Sequence, residues 1–126
     1  MIRSDRRTLM KGSMALAALG AMPAALRAQG HRPALFIYDA RFPASAQLAE
    51  EWAGQGVAIL DPREHDLGLA WRGHIPRLLV RGGGLAGATM WSDRFICETF
   101  ARSHGRSQLL HDAPLPGSDL RHWAIA

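Results

Sequence analysis

The sequence predicts a small α/β protein: a three-layer sandwich built on a mostly parallel sheet of four to five strands, with flavodoxin-like or related strand order. Three observations lead there. Short apolar runs at residues 34–38, 57–60 and 85–90 have the length and composition of strands buried on both faces. The segments between them carry apolar residues at helical spacing and end in glycines. Strands alternating with helices imply right-handed βαβ crossovers, which cover both faces of a sheet.

The elements follow in order. Residues 34–38 read Ala-Leu-Phe-Ile-Tyr and stop at Asp39. Pro43 suits the first turn of a helix. Residues 45–55 then place Leu48, Ala49 and Trp52 on one face, with Gln47, Glu50 and Glu51 elsewhere, until Gly54 and Gly56 end it. Residues 57–60 are a second strand, closed by Asp61-Pro62. Residues 67–71 and 75–80 form a broken helix or two short ones, interrupted by Gly73 and Pro76. Gly82-Gly83-Gly84 is a break before the third strand. Ser92 and Asp93 offer caps for a helix to about Ser103, with Phe95, Ile96, Thr99 and Phe100 expected on its inner face. Residues 108–111 are a fourth strand candidate and 114–118 a turn. Residues 122–126 are a last strand, expected to be antiparallel and at an edge.

Charge is distributed unevenly. The 126-residue chain has 15 Lys+Arg and 11 Asp+Glu. Five of those basic residues (Arg3, Arg6, Arg7, Lys11 and Arg27) lie in residues 1–28, opposed only by Asp5. The rest of the chain is therefore balanced and has no basic footprint for a phosphate backbone, which argues against nucleic-acid binding. The single cysteine, Cys97, excludes an intramolecular disulfide and a paired-Cys zinc site. Its position at the flank of a helix's inner face suits a small buried hydrophobe.

The opening residues Ser4-Asp5-Arg6-Arg7-Thr8-Leu9-Met10-Lys11 place two arginines before an apolar pair and a lysine. The 15 residues from Gly12 to Leu26 carry no charge, too few for a spanning helix of about 20. Small residues follow, ending in Leu26-Arg27-Ala28. This arrangement resembles the twin-arginine translocation signal, with Arg6, Arg7, Leu9 and Lys11 at the matching positions. Asp5 and Leu9 depart mildly from the usual pattern. The resemblance implies a signal peptide over 1–28 cleaved after Ala28, and a single mature domain over 29–126. It implies export by the Tat machinery to the periplasm in folded form, with a cofactor loaded or a co-exported partner attached, and no membrane association once the signal is removed.

In open parallel sheets, ligands bind beyond the carboxyl ends of strands, where strand order reverses. The loop after the first strand carries Asp39 and Arg41; after the second, Asp61, Arg63, Glu64, His65 and Asp66; after the third, Thr89, Trp91, Ser92 and Asp93. Flavodoxin-like order would make the first and third loops neighbours, so Asp39, Arg41, Asp61, Thr89, Trp91, Ser92 and Asp93 define a candidate ligand crevice. Each has a plainer role: Asp39 as a turn aspartate, Ser92 as a helix cap, Trp91 as core packing. G-x-S-x-G, H-E-x-x-H and Walker motifs are absent, and the triple glycine precedes a strand instead of following one. His65 with Asp66 and His74, or His104 with His111, match no metal-ligand spacing and read as surface histidines. The function expected is an exported domain that binds a small molecule or serves a partner as accessory subunit. The competing readings are a small enzyme using the crevice, with Asp39 and Ser92 or Asp93 as its polar groups, and a redox or metal carrier. No particular cofactor is indicated.

Overall fold

A computed structural model describes residues 32–126. The twin-arginine segment and the cleavage position Ala28 lie outside the described residues. The elements run β1 (Leu35–Tyr38), α1 (Pro43–Gly54), β2 (Ala58–Leu60), α2 (Leu67–Arg72), α3 (His74–Val80), β3 (Leu85–Thr89), α4 (Trp91–Ser103), β4 (Leu109–Pro114) and β5 (Arg121–Ile125).

The five strands form one open sheet in the order β2-β1-β3-β5-β4. β1 pairs in parallel with β2 and β3, with Ile37 opposite Leu60 and Gly87. β5 is antiparallel to both β3 and β4. The sheet is therefore mixed, which corrects the mostly parallel sheet the sequence predicts. The cause lies at the carboxyl terminus: β4 and β5 are joined by a tight turn with no crossover helix, and a short connection enforces antiparallel pairing. The last strand is antiparallel as expected, but it lies inside the sheet, and β4 takes the edge.

Side chains alternate across the sheet and build two cores. On one face, Leu35, Ile37, Leu85, Trp123 and Ile125 pack against Trp71, Ile75 and Leu79 of α2 and α3 and against Cys97 and Ala101 of α4. On the other, Phe36, Ala86, Ala88 and Ala124 pack against Leu48, Ala49 and Trp52 of α1 and against Leu115 and Leu120. The expected apolar face of α1 is thus the buried one. Pro43 sits in its first turn.

The inner face of α4 meets the expectation only in part: Phe100 packs against the core and stacks on Trp71 with ring centroids 5.6 Å apart. Cys97 and Ala101 are buried, whereas Phe95 and Ile96 are exposed. Small residues face the sheet and let the helix approach it closely. Arg94 crosses to Asp112 of β4 at 3.4 Å and bonds Glu98 at 3.3 Å, fixing the rotation of the helix. The Met90 N-cap makes no side-chain capping bond, so Ser92 does not cap this helix.

Gly87 sets the geometry at the centre of the sheet. A Cβ there would lie 2.7 Å from Trp123 Cε2 and 2.9 Å from the Ile37 carbonyl oxygen. Its absence leaves room for the Trp123 indole, which donates a 3.0 Å hydrogen bond to Thr89 Oγ1. That bond anchors the carboxyl end of β3, from which α4 departs.

Candidate functional site

The carboxyl ends of β1, β2 and β3 lie side by side because β1 is central to the three. Each strand ends on a polar residue or gives way to one. Asp39 follows β1, Asp61 follows β2, and Asp93 lies in the first turn of α4 after β3.

Most of these groups are held by the protein itself. The buried Asp39 carboxylate accepts from Arg41 through Nε at 2.9 Å and Nη2 at 2.6 Å, and from the Arg41 backbone N–H at 3.1 Å. This bidentate pairing holds its pKa below the usual carboxylate range, although burial opposes it. Arg41 is half-exposed and also lies over the Phe42 ring, 5.6 Å from its centroid. The Asp39 backbone N–H donates to Ser45 Oγ at 2.9 Å, and that hydroxyl donates to the Ala88 carbonyl at 2.6 Å. Ser45 therefore ties the end of β1 to β3. Nothing in its helical setting marks it in the sequence.

Asp61 is buried and braces two loops. Its carboxylate accepts from the Ala40 backbone N–H at 3.2 Å and from the Arg63 N–H at 2.9 Å. Thr89 is fully buried; its hydroxyl accepts from Trp123 and donates to the Met90 carbonyl at 3.0 Å. These two residues hold the loops in place.

Three groups remain uncommitted. Asp93 is half-buried and, among the described residues, its carboxylate has no hydrogen-bond or ion-pair partner. Burial raises its pKa, and the Asp39 charge adds to the rise, while Arg63 and Arg41 pull it down. The exposed Arg63 guanidinium likewise has no hydrogen-bond or ion-pair partner among the described residues, and its charge favours the ionised form of both Asp39 and Asp93. Ser92 is exposed beside them. Asp93 also supplies negative charge to the first turn of α4, which opposes binding of a free anion there. Arg63 was visible in the sequence only as one of several polar loop residues. Its lack of a partner is a tertiary fact.

Trp91 departs from core packing. Trp52, Trp71 and Trp123 are buried at 5%, 1% and 0% exposure, but Trp91 is 58% exposed. It stacks on Phe95 with ring centroids 5.2 Å apart, one turn along α4. Trp91 and Asp93 are two positions apart on the helix and so point in divergent directions. The aromatic pair and the Asp93 carboxylate are therefore separate features of one helix start.

The other candidates have structural surroundings. Cys97 is fully buried; burial pushes its thiol up to about 12, against a lowering by the Trp71 indole, and it has no reactive character. His65, Asp66 and His74 line one open hollow of about 380 Å³ with Glu64 and Leu69, and Asp66 caps α2 through the Leu69 N–H at 2.9 Å. His104 packs on Trp71, while His111 meets His122 edge to face at 5.2 Å. Among the described residues no group of three or more His, Cys, Asp or Glu is arranged to hold a metal ion. A second hollow of about 460 Å³ lies at the opposite end of the sheet, between Arg32, Gly56 and Arg81. No helix among the described residues is long and apolar enough to cross a membrane.

No family model matches the chain, and no curated protein or solved structure is detectably similar to it. The chemistry of the site thus rests on its own geometry.

Proposed function

We propose that the chain is an exported domain, carried folded to the periplasm by the Tat machinery behind residues 1–28, that binds a small polar ligand at the carboxyl ends of β1, β2 and β3. The observation that carries the binding reading is the division of labour among the charged groups. Asp39, Arg41, Asp61 and Thr89 are engaged within the protein, while Asp93 and Arg63 are not.

A half-buried carboxylate with a raised pKa, within electrostatic reach of an unpaired guanidinium, suits a ligand carrying both signs of charge. Arg63 would take a carboxylate or phosphate in a forked contact. Asp93 would take an ammonium, whose charge would lower the Asp93 pKa again. Ser92 adds a hydroxyl at the rim.

The test is a thermal-shift panel of amino acids, amino sugars, simple carboxylates and simple amines. A zwitterionic compound should stabilise the chain, and Asp93→Asn and Arg63→Ala should each abolish that response without changing the fold. Equal responses in the variants and the parent chain would end this reading.

A second reading, a small enzyme, draws on the raised Asp93 pKa, because perturbed carboxylates in strand-end crevices serve as proton donors and acceptors. It requires turnover that follows a single ionisation and disappears in Asp93→Asn. Binding without turnover leaves the domain as a receptor.

A further inference from the structure

We propose that the hollow at the amino ends of β1, β2 and β3 is a second binding site, which takes an organic phosphate monoester. It lies at the other end of the sheet from Asp93 and Arg63 and does not depend on the reading given to them.

The hollow is assembled from three segments. Arg32 and Pro33 lead into β1, Val57 leads into β2, and Arg81 to Gly83 join α3 to β3. Gly83 brings the first and last together. Its φ is 85°, and a Cβ there would lie 3.0 Å from the Arg32 carbonyl oxygen and 3.1 Å from the Ala34 nitrogen. A glycine lets the loop lie this close against the lead into β1. The Ala34 N–H then donates to the Gly84 carbonyl at 2.7 Å. Arg106, beyond α4, fastens the same loop: Nη1 donates to the Gly83 carbonyl at 3.0 Å and Nη2 to the Leu79 carbonyl at 2.7 Å. The second bond also covers a carbonyl in the last turn of α3, whose partial negative charge would otherwise oppose an anion. Arg32 and Arg81 are thereby held on one concave surface.

The lining selects the occupant. Both arginines are exposed, and among the described residues neither has a hydrogen-bond or ion-pair partner. Every other lining residue is glycine or apolar, so no acidic side chain in the hollow answers them. The segment before Arg32 holds five Lys and Arg against Asp5 alone and does not supply the missing charge. Two cations on one concave surface repel each other, and an anion between them removes that repulsion. A phosphate monoester carries a charge of about −1.5 to −2 at pH 7. It therefore answers both guanidiniums, each of which offers a planar fork of donors. The organic part has an apolar floor in the buried Pro33 and Val57 and the half-buried Leu78. The volume, about 460 Å³, is that of a small-molecule site. Recognition here is by side chains. The glycines lead into a strand, so this is not the strand–glycine–helix turn that cradles phosphates with backbone N–H groups.

Isothermal titration calorimetry of the full chain with phenyl phosphate at low ionic strength tests the proposal, with inorganic phosphate and benzoate as comparisons. Phenyl phosphate should bind, inorganic phosphate at least about fivefold more weakly for want of the apolar contact, and benzoate at least about fivefold more weakly for want of the second charge. Arg32→Gln and Arg81→Gln should each weaken phenyl phosphate about tenfold to a hundredfold. Arg72→Gln removes an exposed arginine of α2 that does not line the hollow, and should change binding less than about twofold. Circular dichroism of each variant checks that the fold persists. No binding of phenyl phosphate at millimolar concentration overturns the proposal. So does binding that survives both hollow substitutions, or that Arg72→Gln weakens as much as they do. Inorganic phosphate bound as tightly as phenyl phosphate overturns the assignment of an organic ligand. Binding lost in Arg63→Ala but kept in Arg32→Gln and Arg81→Gln would place the anion at the other end of the sheet, and overturns this site while leaving that one standing.

Discussion

The buried floor and the outer rim of the polar cluster at the carboxyl ends of β1, β2 and β3 are built from the same residue types and behave oppositely. On the floor, Asp39, Asp61, Thr89 and Trp123 spend their polar atoms on one another, on Arg41 and on the loop backbone. At the rim, the half-buried Asp93 and the exposed Arg63 have no hydrogen-bond or ion-pair partner among the described residues. An aspartate at a strand end is thus not by itself a functional group. What separates Asp39 from Asp93 is an arginine two residues away, which lowers one pKa while burial raises the other. Changes on the floor should therefore cost stability, and changes at the rim should cost binding alone.

The contrast breaks most visibly at Trp123. Trp123→Ala removes a fully buried indole and leaves Thr89 without its donor. It should destabilise the fold by about 3–5 kcal/mol, read from chemical denaturation. A loss under about 1 kcal/mol would mean that β5 is not the internal strand.

The next largest effect is pH-dependent. His122 is buried in β5 opposite Ala88, and burial, with His111 adding to it, lowers its pKa to about 4. The unfolded chain titrates this group near 6.5 and therefore binds more protons than the folded chain between those values. Stability should be full above about pH 6.5 and fall as pH drops toward 4, by on the order of 3 kcal/mol. His122→Gln should flatten that limb of a denaturation-versus-pH curve. An unchanged slope would show that the ring is protonated in the folded protein.

Smaller effects follow at the carboxylates. Asp39→Asn removes the charge from a pair whose arginine is half-exposed and screened, so a loss of about 1 kcal/mol is expected at neutral pH. Because its folded pKa is lowered, the contribution of Asp39 is present above about pH 4 and lost as pH falls through the folded value. Asp93→Asn should leave stability within about 0.5 kcal/mol, on the favourable side, since it removes a half-buried unpaired charge. A cost there as large as at Asp39 would erase the distinction between floor and rim.

The parallel half of this architecture was legible in the sequence for a physical reason. β1, β2 and β3 are short, their apolar runs are continuous or nearly so, and α1 carries its apolar face at regular spacing. The order of the last two strands was harder to read, although a signal was present. Trp123-Ala124-Ile125 is an unbroken apolar run, buried throughout, as an internal strand requires. β4 mixes His111 and Asp112 with leucines and ends on Pro114, as an edge strand tolerates. On α4 the usual equation of large apolar residues with the core held for Phe100 and failed for Phe95 and Ile96. Close approach to the sheet selected Cys97 and Ala101 and turned Phe95 and Ile96 outward. The site residues could be named from their places at strand ends. Which of them were already paired could not, because Ser45, Ala88 and Trp123 enter only through tertiary contacts.

Carboxyl-carbon NMR titration of the aspartates measures the contrast directly. Asp93 should titrate above the ordinary carboxylate value and Asp39 below it, and Arg63→Ala should move Asp93 further upward. An Asp93 that titrates at or below Asp39 would contradict the division between a committed floor and an available rim.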